Sequence, residues 1–494
     1  MKMKLLNKLK NFILGNLVLF LLFVFSTIFF LIQHYFYLGW DFSAYVLNAE
    51  HFFYSGLYFE VYRAPLISLI LGLFLFLGKF SESIYILIVS ILFLFSTLKL
   101  SDSLYQKYFY KYRIKKEQLR AIFYFFSLNP FLLYYGLVEG TELLALSFFE
   151  LFLAYFILGK TSGHFLGLAF LSRYNFLMFF PLLFLNKDYK KVLRNFFFAF
   201  LVIFPWLLYN FFKYGNWLTS IIDSYYLNIF SRQTMIQQFS YSSLLYVSNW
   251  LTPFVLVGLI LVFFQLFSKN YKQDIKADFL FLLILGFLIY DIYQTPFKVQ
   301  RYFFNFVLPF AFLSTLSLCY LIDKIEKKYI SKMILSLLII FLISLSVLFV
   351  IAYKTNGSDE VFSSAANDIQ KLGLQECKFL SSHWVPLNYY SKNAHYLYDF
   401  KSALLNNESL VIFYNDPTID DTFTKEDLEN ANVVLKTKDY IIITSVNITN
   451  QTCNKKLGSK SPMIVNSCGI IYEKSSIIRK VLSKFCNFIN FKSS

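Results

Sequence analysis

Charged residues beside long apolar runs are the first candidates for chemistry in this chain. Asp41 lies in the segment GWDFSAY, residues 39–45, just beyond the first apolar run. A carboxylate in that position can serve as a general base towards an acceptor hydroxyl group. It can equally be an N-cap, because Asp is a favoured capping residue and a helix beginning at Phe42 needs one. The residue alone leaves both interpretations open.

Three arginines lie near the same predicted membrane face, and two of them, Arg173 and Arg301, are candidates for binding an anion. Arg63 precedes an apolar segment, Arg173 interrupts an apolar stretch, and Arg301 begins another. A guanidinium group forms paired hydrogen bonds with phosphate oxygens, which suits it to phosphate recognition. The alternatives are a neutralising pair with Glu60 for Arg63, and snorkelling to the membrane interface for the other two.

Glu139 and Glu142 flank Thr141 at the outer end of a predicted helix. Taken alone, they are most simply a solvated helix tip. However, they belong to a set of charges predicted on the outer side of the membrane, where charges are costly and tend to mark function. Their convergence from several loops predicts a site for a charged substrate. The set comprises Asp41, Glu50, Glu60, Arg63, Glu139, Glu142, Arg173, Lys213, Asp223, Arg232, Lys298 and Arg301.

The composition indicates that membrane helices position these residues. Of the 494 residues, 57% are apolar and only 15% are charged, whereas average soluble domains are about 25% charged. This composition excludes disorder, collagen-like repeats and a small disulfide scaffold. Apolar runs recur from residue 12 to residue 352, and many approach the roughly 20 residues that cross a bilayer. The fold class predicted is a polytopic α-helical membrane protein.

The basic residues predict the topology. The formal net charge of +16 arises largely from lysines and arginines in short loops, as expected on the cytoplasmic side. We therefore place the N-terminus, with an uncleaved first helix, in the cytoplasm and the C-terminus outside. The short segment 64–78 is predicted as a re-entrant or interfacial helix on the outer side. The eleven predicted spans are 11–32, 84–99, 121–137, 143–158, 162–172, 174–186, 195–211, 245–267, 279–293, 303–321 and 333–352.

From Lys354 the composition changes to that of a soluble domain. Strand-like runs alternate there with helical patterns such as 359–372, which predicts a small extracytoplasmic α/β domain. Asn407, Asn447 and Asn450 begin sequons, and Cys453 with Cys468 is a candidate disulfide. The strand-like runs are 378–381, 409–414, 439–444 and 469–472. The predicted divisions are a transmembrane catalytic domain (1–353), the α/β domain (354–475) and a basic amphipathic tail (476–494).

Several short motifs occur in a particular order along the chain. They are Asp41-x-x-x-Tyr45-x-x-x-Ala49 with Gly56, Tyr62-Arg63-Ala64-Pro65-Leu66, Gly167-Leu168-Ala169-x-x-Ser172-Arg173-Tyr174, Pro205-Trp206-x-x-x-Asn210-x-x-x-x-Gly215-Asn216, and Arg301-Tyr302 with Pro309. In order, spacing and predicted side, they resemble the GT-C superfamily of polytopic glycosyltransferases. The branch that they resemble contains protein O-mannosyltransferases and the lipid A aminoarabinose transferase. The resemblance covers roughly residues 1–350.

The resemblance implies roles for individual residues. Asp41 matches the family's catalytic aspartate, which acts as a base or orients the acceptor. The arginines Arg63, Arg173 and Arg301 would face the phosphate of a donor lipid. Several relatives carry a second acidic residue after that aspartate, whereas Phe42 follows it here, and we predict no metal ligands. The residues that we expect to bind substrate are Tyr45, Glu60, Glu139, Glu142 and Tyr174.

The sequence therefore predicts an inverting hexosyl- or pentosyltransferase at the outer face of the cell membrane. Its expected partners are a polyprenyl (dolichyl) phosphate-linked sugar donor and a glycan, lipid or protein acceptor. We expect no cofactor and no nucleic acid. The alternative is a lipid-linked sugar flippase or transporter without catalytic activity. A flippase gives no reason for a soluble domain after the last span, and it would bury charges at mid-membrane depth.

Overall fold

The computed structural model describes residues 17–56, 58–186, 188–225, 227–228, 240–267, 275–295, 298–324, 340, 344, 358–375, 377–397, 400–405, 408–414, 431–444 and 463–465. Several predictions lie outside these residues. They are the tail 476–494, the strand-like run 469–472, the Cys453–Cys468 pair and the asparagines of the three sequons. Most of the predicted span 333–352 also lies outside them.

The chain is a polytopic α-helical membrane protein with a small sheet region, as predicted. Apolar segments form helices because a helix satisfies its own backbone polar groups where no water is available. The helices are α1 Leu17–Phe36, α2 Trp40–Tyr54, α3 Leu66–Gly72, α4 Phe80–Lys107, α5 Lys116–Ser127, α6 Pro130–Tyr135, α7 Glu142–Ile157, α8 Gly163–Ser172, α9 Tyr189–Tyr214, α10 Thr219–Tyr225, α11 Tyr241–Ser248, α12 Thr252–Phe267, α13 Ile275–Gln294, α14 Val307–Lys324, α15 Ser358–Lys371, α16 Trp384–Ser391 and α17 Phe400–Leu405.

Six helical stretches among the described residues are long and apolar enough to cross a membrane. Each overlaps a predicted span, but the predicted total of eleven is not confirmed. The segment 64–78 forms only the seven-residue α3 and a short 3-10 turn, too short to cross, as predicted. The six stretches are Leu17–Phe36, Phe80–Lys107, Tyr189–Tyr214, Tyr241–Phe267, Ala277–Gln294 and Gln300–Lys324.

Two predicted spans have a different structure. The segment 121–137 is divided between α5 and α6, because Asn129 Oδ1 accepts a hydrogen bond from Leu132 N at 2.8 Å and so starts a new helix. Pro130 occupies the first turn of α6, where its missing N–H costs nothing. The segment 174–186 is largely a 3-10 helix, Tyr174–Leu185, and contains Pro181, a residue that disfavours a regular α-helix.

Helices α8 and α9 approach closely at Gly163. A Cβ atom on Gly163 would lie 1.8 Å from Asn195 O of α9, so only glycine fits there. Asn195 Oδ1 also accepts hydrogen bonds from Ser162 N at 2.8 Å and Gly163 N at 3.1 Å, which satisfies free N–H groups at the start of α8. This contact fixes α8, the helix that Arg173 follows.

The C-terminal region contains a five-stranded mixed sheet with the order β3-β2-β4-β6-β5. The strands predicted at 378–381, 409–414 and 439–444 and the helix predicted at 359–372 are confirmed. The edge strands β3 and β5 were not predicted. A second, two-stranded sheet pairs β1 with β7 in parallel. The strands are β1 Tyr58–Glu60, β2 Phe379–Ser381, β3 Ala394–Tyr396, β4 Leu410–Phe413, β5 Val433–Lys436, β6 Tyr440–Ile443 and β7 Met463–Val465.

Helix α16 packs on α2 and so docks the C-terminal region on the membrane helices. Tyr389 OH donates a hydrogen bond to Glu82 Oε1 at the start of α4. The other oxygen of Glu82 lies 2.7 Å from His34 Nε2. Lys392 Nζ lies 2.7 Å from Glu50 Oε1. These polar contacts, with the β1–β7 pairing, hold the C-terminal region beside the first outer loop.

Candidate active site

A cavity of about 560 Å³ lies where α2, the turn after β1, the loop between α6 and α7, and the end of α8 meet. Of the nine predicted site residues, only Glu60 does not line the cavity; it is fully buried behind Arg63. The predicted residues that line the cavity are Asp41, Tyr45, Arg63, Glu139, Glu142, Arg173, Tyr174 and Arg301.

Asp41 lies between two arginines. Arg63 Nη1 is 2.8 Å from Asp41 Oδ1, and Arg301 Nη1 is 2.5 Å from Asp41 Oδ2. Helix α2 begins at Trp40, and its N-cap is Gly39 without a side-chain capping bond. The capping alternative for Asp41 is therefore wrong. Asp41 occupies the first turn, where the helix dipole favours a negative charge.

The loop between α6 and α7 contacts Asp41 through Glu139. Glu139 Oε2 accepts a hydrogen bond from Asp41 N at 2.7 Å, and Glu139 Oε1 lies 3.6 Å from Arg301 Nη1. This approach requires glycine at position 39, since a Cβ atom on Gly39 would lie 2.2 Å from Val138 O. Glu139 belongs to the charged cluster and is not a solvated helix tip.

Arg63 connects Asp41 to the C-terminal region. Its Nε also bonds Glu60 Oε2, so the neutralising pair and the Asp41 contact both occur. Tyr58 OH donates to Glu60 Oε1, and Trp384 Nε1 donates to Tyr58 OH at 3.1 Å. A chain of side-chain contacts therefore runs from α16 to Asp41.

Arg173 follows the last residue of α8. Its extended backbone, with φ −152° and ψ 120°, turns the chain out of the helix. Arg173 Nη1 lies 2.6 Å from Glu142 Oε1, and Thr141 Oγ1 donates to Glu142 Oε2 at 2.8 Å. Glu142 is buried. The two residues form an ion pair at the cavity wall, so Glu142 is not a solvated helix tip.

Tyr174 is fixed by a hydrogen-bond network behind the cavity. Its OH accepts from Trp206 Nε1 at 2.8 Å and lies 3.1 Å from Ser220 Oγ. Asn210 Nδ2 also donates to Ser220 Oγ, at 2.9 Å. The network joins α9 and α10 to the residue beside Arg173, so it restricts the position of that arginine.

The two carboxyl groups nearest Arg301 have opposite electrostatic balances. Burial opposes ionisation of Asp41, but the charges of Arg301 and Arg63 outweigh it and hold the pKa of that carboxyl well below its usual range. Burial raises the pKa of Glu139 to about 7, and the Arg301 charge offsets only part of the effect. At neutral pH Asp41 is therefore ionised, whereas Glu139 is partly protonated and partly ionised.

Other polar and aromatic residues of the cavity wall were not selected from the sequence. Asp291 satisfies the criterion that identified Arg173, because it is a charge within an apolar run. Trp384 gives no such signal, because it comes from the soluble region. The residues missed include Trp40, Tyr62, Asn175, Ser224, Asn228, Asp291, Thr295, Tyr302 and Trp384.

The remaining charges predicted on the outer side do not join this cluster. Glu50, Lys213, Asp223 and Lys298 do not line the cavity, and Arg232 lies outside the described residues. Within the described part of the chain, no group of three or more His, Cys, Asp or Glu side chains is arranged to hold a metal ion. Arginines and carboxylates dominate the chemistry of the cavity.

Solved structures of another protein share this architecture. ArnT from Cupriavidus metallidurans bound to undecaprenyl phosphate matches with a TM-score of 0.57 at 10% identity, over 87% of this chain and 97% of that chain. ArnT is a lipid A aminoarabinose transferase and a GT-C enzyme. This chain shares the overall fold of ArnT. The apo state of ArnT from the same organism matches with a TM-score of 0.55 at 8% identity, over 86% of this chain and 97% of the ArnT chain.

The resemblance inferred from short sequence motifs is thereby confirmed at the level of the fold. No family model and no curated protein matches the sequence. At 10% identity the likeness to ArnT shows the fold alone. The function must therefore be argued from the residues of this cavity.

Proposed function

We propose that this protein is an inverting membrane glycosyltransferase. It transfers a hexose or pentose from a polyprenyl-phosphate-linked donor to an acceptor at the outer face of the membrane. The observation that carries the proposal is the position of Asp41 between Arg63 and Arg301 in a GT-C fold. The undecaprenyl phosphate bound to ArnT, which has the same fold, supports the class of lipid.

The arginines retain hydrogen-bonding capacity for the donor phosphate. Arg301 and Arg173 contact the neighbouring carboxylates through Nη1. A guanidinium group has five N–H donors in a planar fork, so the others suit the oxygens of a phosphate. Arg63 pairs with both Asp41 and Glu60. If the donor phosphate replaces Asp41 as a partner of Arg63, the Asp41 carboxylate is released.

The transfer step forms one bond and breaks one. The acceptor oxygen bonds to the anomeric carbon while the bond from that carbon to the phosphate oxygen breaks. The lipid phosphate leaves with the electron pair, and the arginines stabilise its charge. The acceptor proton passes to a carboxylate, which we assign to Asp41.

Donor binding also makes the Asp41 carboxylate more basic. Held by two guanidinium groups, its carboxylate is a weak base, because they keep its pKa well below the usual range. A phosphate that competes for Arg63 and Arg301 weakens this hold. The pKa of Asp41 then rises towards its ordinary value, so the carboxylate becomes a better base when the donor is present.

The C-terminal region is proposed to position the acceptor on the extracytoplasmic side, with the N-terminus in the cytoplasm. Trp384 lines the cavity and packs edge-to-face on Trp40, with 4.9 Å between the ring centres. Cys377 is disulfide-bonded. Disulfides persist in oxidising compartments and are rare in the cytosol, which supports this orientation.

The test is sugar transfer by the purified protein in lipid nanodiscs. Undecaprenyl phosphate carrying a radiolabelled hexose or pentose is supplied with a membrane extract as the source of acceptor. We expect label to move from the lipid to an acceptor. If the protein instead carries the intact lipid-linked sugar across vesicle membranes and transfers no label, the flippase alternative replaces this proposal.

A further inference from the structure

A second polar wall of the cavity carries a carboxylate and uncharged polar groups instead of arginines. Asp291 and Thr295 contribute to it from the end of α13, and Ser224 and Asn228 lie at and after the end of α10. Asn228 Nδ2 donates to Ser224 O at 2.9 Å, and Tyr302 OH donates to Asn228 Oδ1 at 3.2 Å. Asn228 is therefore engaged within the protein, and Asp291 contributes a carboxylate to this wall.

The carboxylate of Asp291 has no hydrogen bond or ion pair with any residue that the structure describes. Its backbone oxygen accepts hydrogen bonds from Thr295 Oγ1 at 2.8 Å and from Thr295 N at 3.1 Å. Arg173 attracts it electrostatically, but its guanidinium bonds Glu142 instead. Asp291 therefore lies on the Arg173 side of the cavity.

Stability does not account for Asp291. It occupies the last turn of α13, where the negative end of the helix dipole repels a carboxylate. It is also a charge at the end of a membrane-spanning stretch, Ala277–Gln294, where an ionised group without a partner is costly. A carboxylate with two unfavourable terms and an open cavity before it is typical of a ligand contact.

The chemistry of the wall restricts that ligand. A carboxylate accepts hydrogen bonds from two O–H groups at once and donates none when ionised. It repels carboxylate and other acidic substituents. Hydroxyl groups of a sugar satisfy these requirements, whereas a uronic acid does not.

We propose that Asp291 is a specificity-determining residue that binds hydroxyl groups of the transferred sugar and selects sugars without an acidic substituent. The inference rests on the proposed function, because the donor phosphate must lie near Arg173 for its sugar to reach this wall. Asp291 takes no part in bond breaking. It decides which lipid-linked sugar binds.

The test is binding to the full chain in lipid nanodiscs. The probes are undecaprenyl phosphate alone and undecaprenyl phosphate carrying glucose, mannose or glucuronic acid. We expect the wild type to bind a neutral sugar lipid more tightly than the glucuronate lipid. In Asp291→Ala, binding of the preferred neutral lipid should weaken by about tenfold, the size of a lost hydrogen bond to a charged group, while binding of undecaprenyl phosphate alone stays unchanged.

Two further comparisons make the outcomes distinct. The isosteric variant Asp291→Asn should reduce the discrimination against the glucuronate lipid and serves if Asp291→Ala does not fold. Asp102→Asn is the control for losing a carboxylate elsewhere in the protein, because Asp102 does not line the cavity; unlike Asp291, it pairs with Lys116 and Arg120. Equal loss for all lipids, unchanged binding in both Asp291 variants, or a preference for glucuronate would overturn the inference. If the wild type bound no undecaprenyl phosphate at all, the proposed function itself would fail.

Discussion

At the residue scale, two neighbouring carboxyl groups differ in their pKa because their surroundings differ. Asp41 N and Glu139 Oε2 are 2.7 Å apart, yet Arg63 and Arg301 keep Asp41 ionised while Glu139 has a pKa of about 7. Asp41 is therefore a constant negative charge near neutral pH, and we propose that a donor phosphate displaces its arginines. Glu139 instead sets how much negative charge surrounds Arg301 near neutral pH.

We predict that donor affinity falls as the pH rises through about 7. Above that pH Glu139 is ionised, and its charge 3.6 Å from Arg301 Nη1 competes with the donor phosphate. Below it Glu139 is neutral and the competition disappears. A phosphodiester donor has no ionisation of its own in this range, so the trend reports the protein. The measurement is the dissociation constant of a lipid-linked sugar on either side of pH 7.

The variant Glu139→Gln should bind the donor with an affinity that no longer changes across this pH range. Its affinity at high pH should approach that of the wild type at low pH, because Gln resembles the protonated acid. A wild-type affinity that rises with pH, or a pH dependence that persists in Glu139→Gln, would contradict this role.

At the element scale, close packing of α8 on α9 determines where Arg173 lies. We predict that Gly163→Ala lowers the free energy of unfolding by about 1–3 kcal/mol, the usual cost of overpacking, because its Cβ would meet Asn195 O. Sugar transfer should fall as well, since α8 shifts and moves Arg173. Thermal unfolding of the purified protein in detergent measures the first effect.

The control for this prediction is Gly286→Ala in α13. Among the described residues, no atom outside the helix's own backbone lies within 4 Å of a Cβ atom placed there, so the substitution should be neutral or slightly stabilising through helix propensity. Equal melting temperatures for the two variants would show that the α8–α9 contact is not tight.

Trp384, the first residue of α16, lines the cavity. We predict that Trp384→Ala raises the KM for the acceptor more than the KM for the donor, because Trp384 packs on Trp40 and bonds Tyr58, whereas the donor phosphate is proposed to bind the arginines. Trp384→Phe keeps an aromatic ring and loses the hydrogen bond to Tyr58, so it separates the two contributions. An increase confined to the donor KM would show that α16 acts through Arg63.

At the scale of the whole molecule, local signals in the sequence predicted much of the architecture. The apolar runs predicted the membrane helices. The strand-like runs around residues 379, 410 and 440 predicted three of the strands. Asp41, Arg63, Arg173 and Arg301 were found because each is a charge beside or within apolar sequence. The cost of such charges in a membrane makes them visible without a structure.

The features that were not predicted depend on contacts between distant residues. The pairing of β1 with β7 joins Tyr58 to Met463, and three-residue strands carry almost no periodic signal. The division of 121–137 into α5 and α6 was missed although Asn129 and Pro130 mark it. Asp291 lies within the predicted span 279–293. Its position in the cavity depends on the packing of α13 beside the site, which the sequence does not indicate.

The most direct test of the central claim is the rate of sugar transfer by Asp41→Asn. The substitution keeps the size of the side chain and removes the base, so we predict a loss of about 10²- to 10⁴-fold in kcat. Asp102→Asn, which removes a carboxylate paired with Arg120 and Lys116, should transfer sugar like the wild type. Transfer by Asp41→Asn at the wild-type rate would contradict the assignment of Asp41 as the base.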